Sequence, residues 1–363
     1  MFNGPSSSHS ITKLRQAKSV PLYELKGAEL ETFLSSPAFD IDVGASSTVV
    51  GVNIADKELK TKFGTPVAVK ISTRNAEEGL DEQHVGGMLL LHGKDFASTA
   101  NLMPLLAPNT TKRNSFAFGL PSSTASYMPR LPWTRGTQQE GTVLTVMPLA
   151  ETTLHTRMKE QPDSFVNARG NLTQQALRWF RQLVIAVDSL NNRVGVVHRD
   201  VKATNCVLLG GRLALLDYGS AALRGETTVR TGTVEYSAPE ADPYSGGDFI
   251  PSDVAHDVFG VGTVLADMLL GATYRWDYYG TVFPRVQRNH PNAVAMWSPV
   301  VEQHHQALLD RTLRDLASKG FDRETQSLVS RLLSSDPKVR HQESVKRFAD
   351  TLAWVDARLF LEP

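Results

Sequence analysis

Residues 198–205 read His198-Arg199-Asp200-Val201-Lys202-Ala203-Thr204-Asn205, and the rest of the chain takes its meaning from them. Twelve residues beyond Asn205 stands Asp217-Tyr218-Gly219, followed later by Ala238-Pro239-Glu240. Either aspartate alone would pass for a loop or cap residue, because short carboxylates favour turns and helix starts. Their ordered combination with an amide and a lysine sets this region apart.

Upstream, the text is β-like. From Phe39 to Ser72, the residues Val43, Val49, Val50, Val52 and Val67-Ala68-Val69 are β-branched or small, and Gly44, Gly51 and Gly64 punctuate them. Asn75 to Leu91 reads as a helix weakened by Gly79, Gly86 and Gly87. Pro104 to Gly141 is rich in Pro, Ser, Thr and Gly and longer than an ordinary connection, so it reads as a surface insertion. Thr142 to Leu149 is an apolar strand. Downstream, helical periodicity takes over. Leu177, Phe180, Val184, Val187 and Leu190 fall on one face of one helix, and Val258 to Leu270 is apolar nearly all round, as a central helix must be. Arg323 to Leu361 predicts two amphipathic helices. Strands first and helices after give an α+β chain of two lobes. The expected layout is a disordered tail over 1–20 and an extension over 21–37, with a short amphipathic helix from Pro21 to Leu34. The domain follows over 38–358: a small β-rich N-lobe over 38–148, with an insertion at about 93–141, and a larger helical C-lobe over 151–358.

In its catalytic-loop text, its Asp217-Tyr218-Gly219 and its Ala238-Pro239-Glu240, the chain resembles the eukaryotic protein kinases of Ser/Thr type. The likeness runs over residues 38–358 and implies the bilobal protein-kinase-like fold and transfer of the γ-phosphoryl group of ATP to protein hydroxyls. On that resemblance Asp200 accepts the hydroxyl proton, Lys202 sits beside the γ-phosphate, and Asn205 and Asp217 hold Mg²⁺, a hard cation that wants oxygen ligands. Val67-Ala68-Val69-Lys70 resembles the family's third strand, which gives Lys70 the α- and β-phosphates. Gly232-Thr233-Val234-Glu235-Tyr236 resembles the Ser/Thr form of the activation segment, in which the Thr233 hydroxyl bonds the catalytic Asp and Lys. That segment and Ala238-Pro239-Glu240 argue against a small-molecule kinase. Thr204 stands where an acidic residue often marks a preference for basic substrates. Asp257-Val258-Phe259-Gly260-Val261-Gly262 resembles the central-helix motif whose Asp anchors the catalytic loop, and Arg340 is expected to pair with Glu240.

The nucleotide side departs from the family pattern. In Asp42-Val43-Gly44-Ala45-Ser46-Ser47-Thr48-Val49, Asp42 and Ser47 take the first and third glycine places and only Gly44 is kept. Glycine there lets backbone N–H groups approach phosphate, and Asp42 adds negative charge near it. The resemblance places adenine between Val49 and Ala68 on one side and Val207 on the other, with Met147 as gatekeeper and Pro148 and Ala150 as hinge residues. Glu82 is the expected helix partner of Lys70, with Glu77 and Glu78 as alternatives. Gly86 then falls where active kinases place an apolar side chain. These departures keep open a pseudokinase, the same fold used for nucleotide binding or scaffolding. The hinge text, the insertion and the divergent glycine loop are similar to the rhoptry kinases of coccidian parasites, which are secreted effectors.

Arg199 precedes Asp200, and in such kinases this arginine often binds a phosphate on the activation loop. Thr227, Thr228 and Thr231 are the available acceptors, with Arg224 and Arg230 nearby. Lys plus Arg and Asp plus Glu both number 38, so no net charge favours nucleic acid or an anionic membrane. The kinase resemblance implies protein substrates as the partners. With one cysteine, Cys206, no intrachain disulfide can form. No apolar run is long enough to span a bilayer, and Met1 to Ser19 lacks the apolar core of a secretory signal. A cytoplasmic protein is the expectation from the text as it stands, and a secreted one if the rhoptry likeness holds.

Overall fold

Valine-rich segments make the first sheet, because β-branched side chains lose rotamer freedom in a helix but fit a pleated surface. The computed structural model describes residues 32, 35–43, 47–63, 66–72, 85–89, 92, 95–104, 107–108, 143–168, 170–229, 232–242, 249–272, 274–275, 277 and 301–360. The chain divides into two compact units: Met1–Glu151 with Asp217–Gly219, and Thr152–Leu216 with Ser220–Pro363. The first is β-rich and the second helical, which is the bilobal α+β architecture.

In the first unit, β1 (Ala38–Val43), β2 (Ser47–Val52), β3 (Val67–Ser72), β4 (Ala107–Pro108) and β5 (Val143–Pro148) form one antiparallel sheet in the order β1-β2-β3-β5-β4. Register sorts the side chains. Val50, Val69 and Val146 lie opposite one another and are buried on one face. Val49 pairs with Lys70, and Lys70 with Thr145; Gly51 pairs with Ala68, and Ala68 with Met147, so these residues share the other face. Helix α1 (Lys57–Phe63) interrupts the stretch read as β. Lys57-Glu58-Leu59-Lys60 are good helix formers, and Asp56 caps them by accepting from Leu59 N at 2.9 Å. Residues 85–89 are helical and buried, and α2 (Phe96–Thr99) follows.

The second unit opens with β6 (Thr152–Thr153), α3 (Leu154–Glu160) and α4 (Gln174–Asp188). Leu177, Phe180, Val184 and Val187 lie buried on α4. Leu190, expected on the same helix, instead belongs to a π-helical turn over Ser189–Val194, which Gly195 ends with φ +83°. After β7 (Val196–Val197) and the 198–205 loop, β8 (Cys206–Leu209) and β9 (Arg212–Leu215) form a tight hairpin in the order β6-β8-β9. Its two loop residues, Gly210 and Gly211, both have positive φ, which suits the twist of a hairpin. Two small ribbons follow: β10 (Ala222–Leu223) on β7, and β11 (Thr227–Val229) on β12 (Phe249–Pro251).

Helix α5 (Val254–Leu270) is buried from Val254 to Leu269, and Asp253 caps it. α6 (Val301–Ser318) precedes three C-terminal helices where two were expected: α7 (Arg323–Leu332), α8 (Pro337–Val345) and α9 (Ala349–Leu359). Asp336 as N-cap and Pro337 at the first helical position separate α7 from α8. Arg347 and Phe348, both at positive φ, separate α8 from α9. Among the described residues no helix is long and apolar enough to cross a membrane.

Candidate active site

In the second unit the loop 198–205 hangs from one buried carboxylate. Asp257 of α5 accepts from His198 N and Asn191 Nδ2 on Oδ2 and from Arg199 N on Oδ1, all at 2.7 Å. Asn191 also donates to Val196 O at 2.9 Å, so the π-helical turn, β7 and α5 meet in one network. The His198 ring is wedged below. Its Nε2 donates to Leu216 O at 3.0 Å, and its Nδ1 accepts from Asp200 N at 3.3 Å. A carbonyl can only accept, so Nε2 carries the ring proton.

Two glycines allow the loop to lie this close. A Cβ on Gly260 would stand 2.6 Å from Val201 Cβ and 2.7 Å from Val201 O. Gly232, at φ +112°, lies against Arg199 O, where a Cβ would stand 3.0 Å away. Arg199 itself has φ +69°, a conformation that an L-residue resists and that the Asp257 bonds hold.

Held in this way, Asp200 receives a full set of donors. Its Oδ1 accepts from Thr233 Oγ1 at 2.9 Å and Thr233 N at 3.2 Å, and its Oδ2 from Lys202 Nζ at 2.6 Å and Asn205 Nδ2 at 3.1 Å. Lys202 Nζ also donates to Thr233 Oγ1 at 2.7 Å, and Asn205 Nδ2 to Asp200 O at 2.8 Å. The carboxylate, ammonium, hydroxyl and amide therefore form one closed set, with Asp200 and Lys202 still partly open to solvent. The segment behind Thr233 is tied to the helices. Glu240 pairs with the fully buried Arg340, which also bonds Ala255 O and lies over the Phe259 ring.

In the first unit, Lys70 Nζ lies 2.5 Å from Asp217 Oδ1, and Val49, Ala68 and Met147 share the sheet face of Lys70. Pro148 and Ala150, at the end of β5, are half-buried. Val207 is buried in the second unit, opposite Thr153 and Ala214. Gly44 and Glu82, with Glu77 and Glu78, lie outside the described residues. Among the described residues no cluster of three or more His, Cys, Asp or Glu could hold a metal. A Mg²⁺ held by one carboxylate, one amide and the phosphates it accompanies needs no such cluster.

Sequence reasoning passed over Asn191, whose role depends on partners 66 residues away and leaves no spacing signal. It also passed over the Tyr218 hydroxyl, which is buried and donates to Met103 O: a buried phenol needs a partner, but nothing in the sequence names this one.

The family model "Protein kinase domain" matches residues 136–348, more than half of the chain. Among similar proteins, CBL-interacting protein kinase 16 of Oryza sativa subsp. japonica is 36% identical over 128 residues, 33% of this chain and 27% of that protein. Serine/threonine-protein kinase Nek11 of Mus musculus is 28% identical over 170 residues, 46% of this chain and 23% of that protein. CBL-interacting protein kinase 30 of the same rice is 30% identical over 172 residues, 46% of this chain and 30% of that protein. The chain thus spans less than a third of the length of these relatives. The matched domain takes in the 198–205 loop, Asp217, Thr233 and Arg340, and this chain belongs to the protein kinase domain family.

Proposed function

We propose that the chain is an ATP- and Mg²⁺-dependent serine/threonine protein kinase acting on protein hydroxyls. The observation that carries the reading is the closed set of Asp200, Lys202, Thr233 and Asn205. The names of Nek11 and the two rice kinases lend support at modest identity.

Phosphoryl transfer leaves the protein little covalent chemistry to perform; it positions groups and neutralises charge. Asp200, with both oxygens oriented by donors, would accept the substrate proton as the hydroxyl attacks. Lys202 would stabilise charge on the transferred group, and Lys70 the α- and β-phosphates. Asn205 and Asp217 would be the oxygen ligands of Mg²⁺. Because the Asn205 amide nitrogen is committed to Asp200, its oxygen is the atom left for a cation. Bound Mg²⁺ would neutralise the β- and γ-oxygens. Val49, Ala68, Met147, Pro148, Ala150 and Val207 would line the adenine site.

A second reading, the pseudokinase, is favoured by two observations. Asp42 and Ser47 stand at glycine places, and the Lys70 ammonium lies directly on Asp217. Purified chain with Mg²⁺, labelled ATP and a generic basic protein separates the two. Transfer is expected, and Asp200→Asn should lower it on the order of 10²–10⁴-fold with unchanged melting. Near-wild-type turnover in that variant would sink the assignment.

A further inference from the structure

Two guanidiniums lie over the buried Phe259 ring of α5: Arg340, its carbon 5.4 Å from the centroid, and Arg275, at 5.2 Å. Both arginines are fully buried. Arg340 has the Glu240 carboxylate to answer its charge. Arg275 is held differently. Its Nε donates to Glu235 O at 2.8 Å, and its Nη2, closed to solvent, has no hydrogen-bond partner. Asp267 acts on Arg275 electrostatically, but burial pushes its carboxyl up to about 8, so at neutral pH it offsets little of that charge.

Such an arginine is a poor source of stability. Taking a guanidinium out of water costs more than one bond to a carbonyl offsets, and a second cation on the same ring adds repulsion. What Arg275 supplies is direction. The Glu235 carbonyl belongs to the tight turn Val234–Tyr236. That turn closes on Thr233, whose carbonyl accepts from Tyr236 N at 2.8 Å and from Ser237 Oγ at 3.0 Å. Thr233 in turn places its hydroxyl on Asp200 and Lys202. The segment 235–240 is thus gripped at both ends, by Arg275 at Glu235 and by Arg340 at Glu240, and one ring underlies both grips.

We propose that Arg275 is a positioning residue: by fixing the Glu235 carbonyl it sets the turn that starts at Thr233, and so keeps the Thr233 hydroxyl on Asp200 and Lys202. The inference rests on reading those residues as the site of phosphoryl transfer. Lysine could not take the place of Arg275, because it has a methylene where arginine has Nε.

The test is Arg275→Met in the full chain, with Arg275→Lys beside it. Met removes the desolvated charge and keeps much of the length, so its melting temperature should stay at or above the wild-type value. Transfer to a generic basic protein should nevertheless fall ~3–10-fold in kcat, the scale of one hydrogen bond, at unchanged KM for Mg–ATP. Arg275→Lys keeps the charge and should lose kcat to the same extent. In ligand-free protein, hydrogen–deuterium exchange should accelerate in a peptide covering Thr233–Ser237 and stay at the wild-type rate in one covering α4. Wild-type kcat in both variants overturns the proposal, and so does a lowered melting temperature with wild-type kcat, which marks a merely structural role. If Arg275→Met does not fold, the exchange of Arg275→Lys decides: acceleration confined to Thr233–Ser237 supports the proposal, and acceleration over the whole chain overturns it. A wild type that transfers no phosphate sinks the reading of the site by itself, and the exchange pattern still decides whether Arg275 sets the Thr233 turn.

Discussion

The loop around Asp200 and the pair Lys70–Asp217 each set a carboxylate against a lysine ammonium, and they are held in opposite ways. The loop hangs from a carboxylate that no solvent reaches, and every oxygen of Asp200 has a donor. The Lys70–Asp217 pair is partly open, with Asp217 at 34% exposure, and it stands on a strained backbone. A buried network with all partners present rigidifies its surroundings, whereas a partly solvated ion pair contributes little and exchanges partners readily. The lesson is that the network around Asp200 is built to stay still, whereas the Lys70–Asp217 pair can exchange partners.

Asp257→Ala should break this contrast most severely. It leaves His198 N, Arg199 N and the Asn191 amide without their acceptor, each a cost of roughly 1–3 kcal/mol. A stability loss of ~3 kcal/mol or more is expected in a denaturant titration, together with loss of transfer. A variant that unfolds at the wild-type midpoint would show that the loop does not depend on α5. On the yielding side, Mg–ATP at ~100 times its dissociation constant should stabilise the wild type by ~2.7 kcal/mol. Lys70→Met and Asp217→Asn should each abolish most of that gain in thermal denaturation. An unresponsive wild type would favour the pseudokinase.

How much of this was legible follows the range of each interaction. The 198–205 text is contiguous, and its chemistry can be read from residue types alone. The Val67–Lys70 strand was legible because β-branched residues alternate there. The short α1 was not, since seven residues give too little periodicity to stand out between two valine-rich strands. The Tyr218–Met103 and Asn191–Asp257 bonds span 115 and 66 residues, and nothing local to either partner announces the other. The pairing of His305 with Asp242, at 3.5 Å and both buried, was invisible for the same reason.

Two smaller effects sharpen the comparison. Thr228, half-buried on β11, accepts from Arg199 Nη1 at 3.0 Å, so β11 already touches the 198–205 loop through an arginine–hydroxyl bond. Phosphorylation there would replace it with a bidentate ion pair between phosphate and guanidinium and should raise activity. Mass spectrometry before and after phosphatase treatment checks this, and full activity without phosphate between Ser220 and Thr231 would count against it. The smallest effect concerns pH. Burial holds His305 and His256 below the ordinary imidazole value, with Asp242, Glu240 and Arg275 facing the first, and Glu240, Asp257, Asp253 and Arg340 the second. Below the unfolded value of 6.5 the unfolded chain binds the extra protons, so stability is fully present above that pH and is lost as pH falls through it. Asp267, pushed up to about 8 by burial, works in the opposite sense, so the comparison must be between variants. His305→Gln should lose less stability than the wild type between about pH 7 and 5.5. Parallel melting profiles would remove His305 from the account.

The reach of Asp257 also sets an order of events during synthesis. His198 N lies 59 residues before the carboxylate that accepts from it. Closing a loop of that length costs ~3–4 kcal/mol in chain entropy, which one bond alone cannot repay. The loop around Asp200 therefore cannot take its working shape on a nascent chain until α5 has left the ribosome and found its place in the second unit. A chain stopped before Val254 would carry the whole 198–205 text and still lack the site. The ordered Asp200 network arrives late, together with the helix at the centre of the larger unit.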